Sequence, residues 1–380
     1  MLKVILSGGG SAGHVNPALA ISEIIKANRQ DVEFLYVGTP NGMEHRLAEN
    51  AGFKYESIKV AGLQRHLSVK NIARNIKAVA YLSTAGARAG KIIKDFKPDL
   101  VIGTGGYVCG PIVRKAAKMG IKTLIHEQNA FPGLTTKLLA PHVDKIMVTV
   151  DKAIERIEPE YRPKCVVTGL PVRRGFSENK MSKAEAKKAL GFDEDTVCIL
   201  STGGSLGARA INNAALELME WYIRDGVKVN HIHSYGKSNT EEFNQGLAAK
   251  NINLAEHPNF IVKEYLDNMS TCMAAADLII SRCGMGALTE IEAEGKASIL
   301  IPSPYLAENH QYYNGLVLQS ASAAVMYEQK DITDGLIAKT VSDLISDPSK
   351  LDEMSAHASE QFIKNTPERI WTEIEKILAR

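Results

Sequence analysis

"VILSGGGSAGHVNPALAISEII", residues 4–25, passes from an apolar strand pattern through six residues that satisfy G-x-G-x-x-G into an amphipathic helical pattern. Strand, glycine turn and helix in that order open a doubly wound α/β domain. The details disfavour a nicotinamide dinucleotide. Such a site needs the helix to open inside the glycines and an acidic residue about 20 positions on to hold a ribose. Asn16-Pro17 reads as an N-cap followed by the first helical position, which starts the helix after His14 and lengthens the loop. The second strand pattern, "DVEFLYVGTP" at 31–40, ends in Gly38 and Thr39, with no carboxylate waiting there.

Outward from this stretch, short apolar runs alternate with helical periodicities: EFLYVG, DLVIGTGG, TLIHEQ, KIMVTV and CVVTG, then CILSTGG, HIHSYG, FIVKEY, LIISRCG and SILIPSP. That alternation predicts βαβ units and parallel sheets, with crossover helices such as 17–29, 182–190, 208–222 and 333–345. The polar segment "TGLPVRRGFSENKMS", 168–182, separates two strand series. We expect an α/β protein of two doubly wound, Rossmann-like domains facing a cleft. Their expected limits are 1–168, completed by a C-terminal helix within 360–380, and 169–358. Four strands end in glycine-rich turns, two in each half: "SGGGSAGH" (7–14), "GTGGYVCG" (103–110), "STGGSLGAR" (201–209) and "SRCGMGALTE" (281–290). Each alone reads equally well as a tight βα turn; as two pairs they predict two facing sites for phosphorylated ligands.

The chain has 380 residues and a net charge of +2, from Lys+Arg 45 against Asp+Glu 43, too balanced for a protein that binds nucleic acid by neutralising its phosphates. Five scattered cysteines without C-x-x-C spacing indicate neither a disulfide framework nor a zinc site, which fits a cytoplasmic protein. No signal peptide and no apolar stretch of spanning length is read, so a soluble or peripheral protein is expected. His231 and His233 share a strand face but lack a third metal ligand, and "DED" at 193–195 is not beside a glycine turn. Chemistry without a metal or other cofactor is the expectation.

The stretches GGGSAGHVNPA, GTGGYVCGP, HEQNAFPGLTTKLLA, GLPVR, STGGSLGAR, SRCGMGALTEIEAEGKASILIPSP and ENHQYYN, in this order across both halves, resemble the MurG family of UDP-N-acetylglucosamine transferases of peptidoglycan synthesis. The resemblance implies a glycosyltransferase-B fold. It also implies transfer of N-acetylglucosamine from UDP-N-acetylglucosamine to an undecaprenyl-linked muramoyl pentapeptide, at the cytoplasmic face of the bacterial membrane. Further implied partners are an anionic membrane surface and a cell-wall synthesis complex. The rivals are a glycolipid synthase, a UDP-N-acetylglucosamine epimerase, or a non-catalytic nucleotide-sugar-binding protein. HEQNAFPGLT speaks against the first two, and the set His14, Glu290 and Gln311 against the third.

Free backbone N–H groups at Met285, Gly286 and Ala287, where a strand ends and a helix opens, suit a diphosphate. By resemblance, Glu290 holds the ribose, Ser205 and Arg173 contact the nucleotide-sugar, the Leu266 backbone reads uracil, and Gln311 with Asn314 meets the donor sugar. The bland reading of Glu290, like Glu292 and Glu294, is a solvated first-turn acid. Asn129 matches a donor contact, with Glu127 and His126 as supports. The glycine turns of the first half, including Ser11, Ala12 and Gly13, would cradle the acceptor diphosphate. Ser11 and Ala12 depart from the usual GGGTGGH loop, and Ala12 adds a methyl where bare backbone is usual. His14, ahead of a helix N-terminus that disfavours imidazolium, is the leading general base; outside this motif a lone loop histidine is usually a surface residue. Residues 68–82 pair an apolar stripe of Val69, Ile72, Ile76 and Val79 with Lys70, Arg74 and Lys77, after Arg65, His66 and Leu67. With Lys137 they form the expected membrane-docking face.

Overall fold

A computed structural model describes residues 1–60, 84–172, 176 and 181–379, which divide into two compact units. The first comprises Met1–Pro171 and Ile363–Arg380, the second Val172–Phe362.

In chain order the first unit contains β1 (Leu2–Ser7), α1 (Ala12–Asn28), β2 (Val32–Gly38), α2 (Met43–Asn50), β3 (Lys54–Ser57), α3 (described over 84–96), β4 (Leu100–Gly103), α4 (Cys109–Lys118) and β5 (Lys122–Glu127). It continues through α5 (Leu134–Leu139), β6 (Lys145–Val148), α6 (Lys152–Glu155) and β7 (Cys165–Val167). The strands form one parallel seven-stranded sheet in the order β3-β2-β1-β4-β5-β6-β7. Strands buried on both faces read as unbroken apolar runs, and alternate residues of β1 feed opposite layers. Val4 and Leu6 enter one buried cluster and Ile5 the other.

The second unit contains α7 (Lys183–Ala189), β8 (Cys198–Thr202), α8 (Arg209–Asp225), β9 (Asn230–Ser234), α9 (Thr240–Ala249), β10 (Phe260–Lys263), α10 (Met269–Ala275) and β11 (Leu278–Ser281). There follow α11 (Met285–Glu294), β12 (Ala297–Leu300), α12 (His310–Ser320), β13 (Ala324–Met326), α13 (Leu336–Ile345) and α14 (Pro348–Gln361). Its six strands are parallel in the order β10-β9-β8-β11-β12-β13. The last helix, α15 (Thr366–Leu378), returns to the first unit. Its buried stripe of Ile370, Ile374 and Ile377 joins the cluster that holds Ile21 and Ile25 of α1. Three isoleucines buried at helical spacing are worth roughly 1.5–3 kcal/mol each, enough to hold a chain end in place.

In both sheets the strand order reverses once, between β1 and β4 and between β8 and β11. These four strands are the ones that end in the four glycine-rich turns. Open α/β sheets bind ligands at such reversals, so the topology makes each pair of turns the edge of one site.

One expectation is corrected. The first helix starts at Ala12, not after His14; its N-cap is Ser11, and Pro17 lies inside it. The Ser11 carbonyl accepts from the His14 and Val15 N–H groups, so the first turn closes upstream of Asn16. Pro17 removes one intrahelical donor but sits near the end, where few bonds depend on it. Because Ala12 is an exposed residue of that first helical turn, position 12 needs no left-handed backbone, and the extra methyl is accommodated.

Candidate active site

In the second unit the turns after β8 and β11 border a cavity of about 250 Å³. Among its lining residues are Ser205, Leu266, Ala287, Glu290 and Gln311, brought together from four separate segments, with Ala287 and Glu290 both on α11. Gly284 caps α11 without a side-chain hydrogen bond, and the Leu288 N–H is the first to reach back to its carbonyl. The N–H groups of Met285, Gly286 and Ala287 therefore lack intrahelical acceptors, and the helix dipole adds positive potential there. Gly286 is exposed and a Cβ on it would meet nothing within 4 Å, whereas the Met285 side chain is buried.

Gln311 is oriented by its surroundings. Its Oε1 accepts from the backbone N–H groups of Ser303 (2.8 Å) and Cys283 (3.3 Å), which leaves the amide NH2 as the group offered to the cavity. Asn314 is only 1% exposed and donates to the Cys283 carbonyl at 3.2 Å; it supports the turn and is absent from the cavity lining. The first turn of α11 carries no acid, so Glu290 is not one of the dipole-favoured first-turn residues that its bland reading requires. Nor is Glu292 solvated: it is 5% exposed, and burial pushes its carboxyl up to about 8. Sequence reading missed Tyr265, which lines the cavity next to Leu266. An aromatic beside an apolar residue in a strand-to-helix loop was the available signal.

In the first unit the glycine turns after β1 and β4 lie against each other. The Gly9 N–H donates to the Gly105 carbonyl at 3.3 Å, and a Cβ on Gly106 would fall 2.2 Å from the Gly9 oxygen. The Thr104 hydroxyl donates to the His14 carbonyl at 2.6 Å. His14 is the third residue of α1 rather than a loop residue, and still stands at a helix N-terminus. A carboxylate does wait at the end of β2, contrary to the sequence reading. Glu44, from α2, is fully buried and accepts from the Thr39 N–H (3.0 Å), the Thr39 hydroxyl (2.6 Å) and the Gly10 N–H (3.3 Å). Burial acts to raise its pKa, but these donors outweigh it and hold the carboxyl below the usual range. With its oxygens so engaged, Glu44 anchors the turn rather than facing a ribose.

The HEQN segment leaves β5 above these turns. Glu127 is 4% exposed and accepts four hydrogen bonds: Asn129 N–H (2.9 Å) and Nδ2 (3.1 Å) on Oε1, Gly133 N–H (2.9 Å) and the Thr136 hydroxyl (2.5 Å) on Oε2. It holds the loop and the start of α5 and aims the Asn129 amide. Gln128 lies between His126 and His14, with its Oε1 3.0 Å from His14 Nδ1.

Arg173 and the 68–82 face lie outside the described residues, as do Arg65, His66 and Leu67. Lys137 is described, its ammonium 4.3 Å from the Phe131 ring centre. His231 and His233 are buried, and both bond Ser201 Oγ at 2.7 Å; burial lowers each to about 3, so both are neutral packing partners. Asp193 of the DED segment accepts from the N–H groups of Asp195 and Thr196, an ordinary turn.

Residues 4–148 match the glycosyltransferase family 28 N-terminal domain and residues 198–370 its C-terminal domain. The chain belongs to glycosyltransferase family 28. It is 40% identical, over 99% of its length and 98% of the relative's, to the UDP-N-acetylglucosamine--N-acetylmuramyl-(pentapeptide) pyrophosphoryl-undecaprenol N-acetylglucosamine transferase of Acetivibrio thermocellus. The protein of that name from Desulforamulus reducens is 38% identical over the full length of both. Among solved structures, Acinetobacter baumannii MurG superposes with a TM-score of 0.78 at 26% identity, covering 99% of this chain and 100% of that one. A UDP-N-acetylglucosamine 2-epimerase from Neisseria meningitidis, at 14% identity and a TM-score of 0.64 over 100% of both chains, shares the fold.

Proposed function

We propose that the protein transfers N-acetylglucosamine from UDP-N-acetylglucosamine to undecaprenyl-diphospho-muramoyl pentapeptide, the lipid-linked precursor of peptidoglycan, with inversion at the anomeric carbon. The observation that supports this best is the convergence of Ser205, Glu290 and Gln311 on one cavity beside an open helix N-terminus, in a chain that matches such transferases end to end. In this reading Glu290 accepts the ribose hydroxyls, Leu266 offers its backbone to uracil, and Gln311 donates to the sugar. Asn129 adds a contact to the donor. As UDP leaves, its growing charge is met by the N–H groups at Met285, Gly286 and Ala287, by Ser205 and by Arg173. From the first unit, His14 takes the proton of the attacking sugar hydroxyl, and the turn at Ser11, Ala12 and Gly13 holds the acceptor diphosphate.

Radiolabel transfer from UDP-N-acetylglucosamine tests the reading. Label should pass to an analogue of the muramoyl acceptor, and not to diacylglycerol or to water. Label on diacylglycerol, or epimerised donor without an acceptor, would replace this activity with one of its rivals.

The acceptor stays in the membrane, and no helix among the described residues is long and apolar enough to cross one. The proposal therefore includes peripheral attachment to the cytoplasmic face through the first unit, in a setting shared with other cell-wall enzymes. Lys and Arg near an anionic leaflet are worth about 1 kcal/mol each. Co-sedimentation with anionic vesicles should weaken in salt and in Lys70→Glu with Arg74→Glu, while activity on a soluble short-chain acceptor persists. A double variant that sediments like the parent removes this face from the proposal.

A further inference from the structure

A chain of hydrogen bonds runs from the backbone near the end of the first unit's sheet to the ring of His14, and each link has only one chemically allowed sense. At one end, His126 Nε2 lies 2.9 Å from the Gly169 carbonyl oxygen. A carbonyl can only accept, so Nε2 carries a proton. His126 is 1% exposed, and burial lowers its pKa, so the ring is neutral and its Nδ1 bears a lone pair. The Gln128 amide lies 2.8 Å from the His126 carbonyl oxygen and 3.1 Å from His126 Nδ1. Both are acceptors. The NH2 end of Gln128 must face them, using its two protons, and the amide cannot be flipped without setting two oxygens against each other. Its Oε1 is thereby directed at His14 Nδ1, 3.0 Å away, where it can only accept.

We propose that Gly169, His126 and Gln128 form a relay that fixes the tautomer of His14, keeping its proton on Nδ1 and leaving Nε2 as the basic nitrogen. This rests on the reading of His14 as general base and makes Gln128 its positioning residue. A neutral imidazole has one N–H, and the hydrogen bond at one nitrogen decides which is left to react. An orienting group of this kind matters because the wrong tautomer presents a donor where catalysis needs an acceptor. Glu127 cannot take this part, since both its oxygens are spent on the loop that follows. A Cβ on Gly105 would fall 2.7 Å from the same nitrogen, His14 Nδ1, so the turn after β4 packs directly against the imidazole beside its bond to Gln128.

The test is the nitrogen spectrum of the full-length protein labelled in histidine, read at a pH where His14 is neutral, alongside turnover. In the parent, His14 should show a protonated, pyrrole-type Nδ1 and a pyridine-type Nε2. Gln128→Met, of similar length but without the amide, should lose that signature and lower kcat by roughly 10–100-fold, with the KM for UDP-N-acetylglucosamine unchanged. A parent in which Nε2 carries the proton overturns the relay, and this holds even if the variant does not fold. So does a Gln128→Met protein whose His14 keeps the Nδ1 proton. Normal turnover in His14→Ala overturns the base assignment instead, a result that the spectrum does not share.

Discussion

The two pairs of glycine turns occupy equivalent places, at the strand-order reversal of each sheet, yet their glycines make room for different things. In the first unit the space beside Gly8, Gly9, Gly105 and Gly106 is filled by the protein itself, while Gly10 and Gly110 stand open. Gly8 faces Thr104 and His14, Gly9 faces Glu44, and Gly106 faces the Gly9 backbone. In the second unit Gly203 and Gly207 are packed against Ala208 and Tyr235, but a Cβ on Gly204 or Gly286 would meet nothing within 4 Å, and one on Gly284 only Gln311 at 3.9 Å. The first pair is a braced platform that fixes His14; the second is a rim around an open cavity. A glycine turn is thus not by itself a phosphate cradle, because what its bare backbone admits depends on what the rest of the fold brings against it.

The sharpest break in this comparison is expected at His14. Replacing it with alanine should lower kcat by roughly two to four orders of magnitude and leave UDP binding nearly intact, since the cavity proposed for the nucleotide belongs to the other unit. A variant that loses UDP affinity in isothermal titration, with turnover at saturation unchanged, would sink the division of labour.

Donor binding should fall next. Glu290→Ala removes the proposed charged acceptor of the ribose hydroxyls and should weaken UDP-N-acetylglucosamine binding by about 1.5–3 kcal/mol. Glu294→Ala is the control, being partly exposed at the far end of the same helix. Glu292→Ala is not suitable, because its site is buried. Equal losses from Glu290→Ala and Glu294→Ala would reduce the effect to the helix's general acidity.

One methyl group probes the comparison directly. On Gly8 it would lie 2.1 Å from Thr104 Oγ1 and 2.7 Å from the His14 carbonyl oxygen. Gly8→Ala should therefore cost about 1–3 kcal/mol of stability. Gly286→Ala should fold at least as well as the parent and bind UDP more weakly, because the methyl stands only in the ligand's way. Thermal melts and UDP titrations of the two variants should show opposite patterns; a matched pair of stability losses would mean that both turns are packed alike.

The smallest effect is a stability term in α11. The Glu292 carboxyl is raised in the folded protein to about 8 against an ordinary 4.5, so the folded state binds the extra proton between those values. Stability contributed by the neutral form is full below about pH 4.5 and is lost as pH rises towards 8. Glu292→Gln should thus gain on the parent across that window, by on the order of 1–3 kcal/mol near pH 7. A gain that does not grow with pH would assign it to packing.

Much of this was legible in the residues. Parallel strands advertise themselves as apolar runs, and all eleven such runs became strands, nine interior and two, β7 and β10, at sheet edges. The two that were not read are edge strands. β3 is the polar KYES and β13 the three-residue AVM, and an edge strand paired on one side needs little apolar surface. The start of α1 was misplaced because Asn16-Pro17 carries the local signals of a helix beginning, while the bonds that close the first turn come from Ser11.

The sequence by itself determined the two α/β units and the four glycine turns, because these follow from periodicity and local turn chemistry, and its resemblance to a known family named the residues proposed for a nucleotide-sugar site. Only the tertiary structure decided where each carboxylate stands. Glu44, Glu127, Glu290 and Glu292 are alike as letters. One braces a glycine turn, one is consumed by a loop, one lines the cavity, and one is kept neutral by burial. The same holds for Gln128, whose amide direction is set by the His126 carbonyl oxygen and by His126 Nδ1, a ring whose other nitrogen is held by the Gly169 carbonyl far away in the chain. Desolvation and hydrogen-bond partners are properties of a place in three dimensions, and no spacing along the chain encodes them directly.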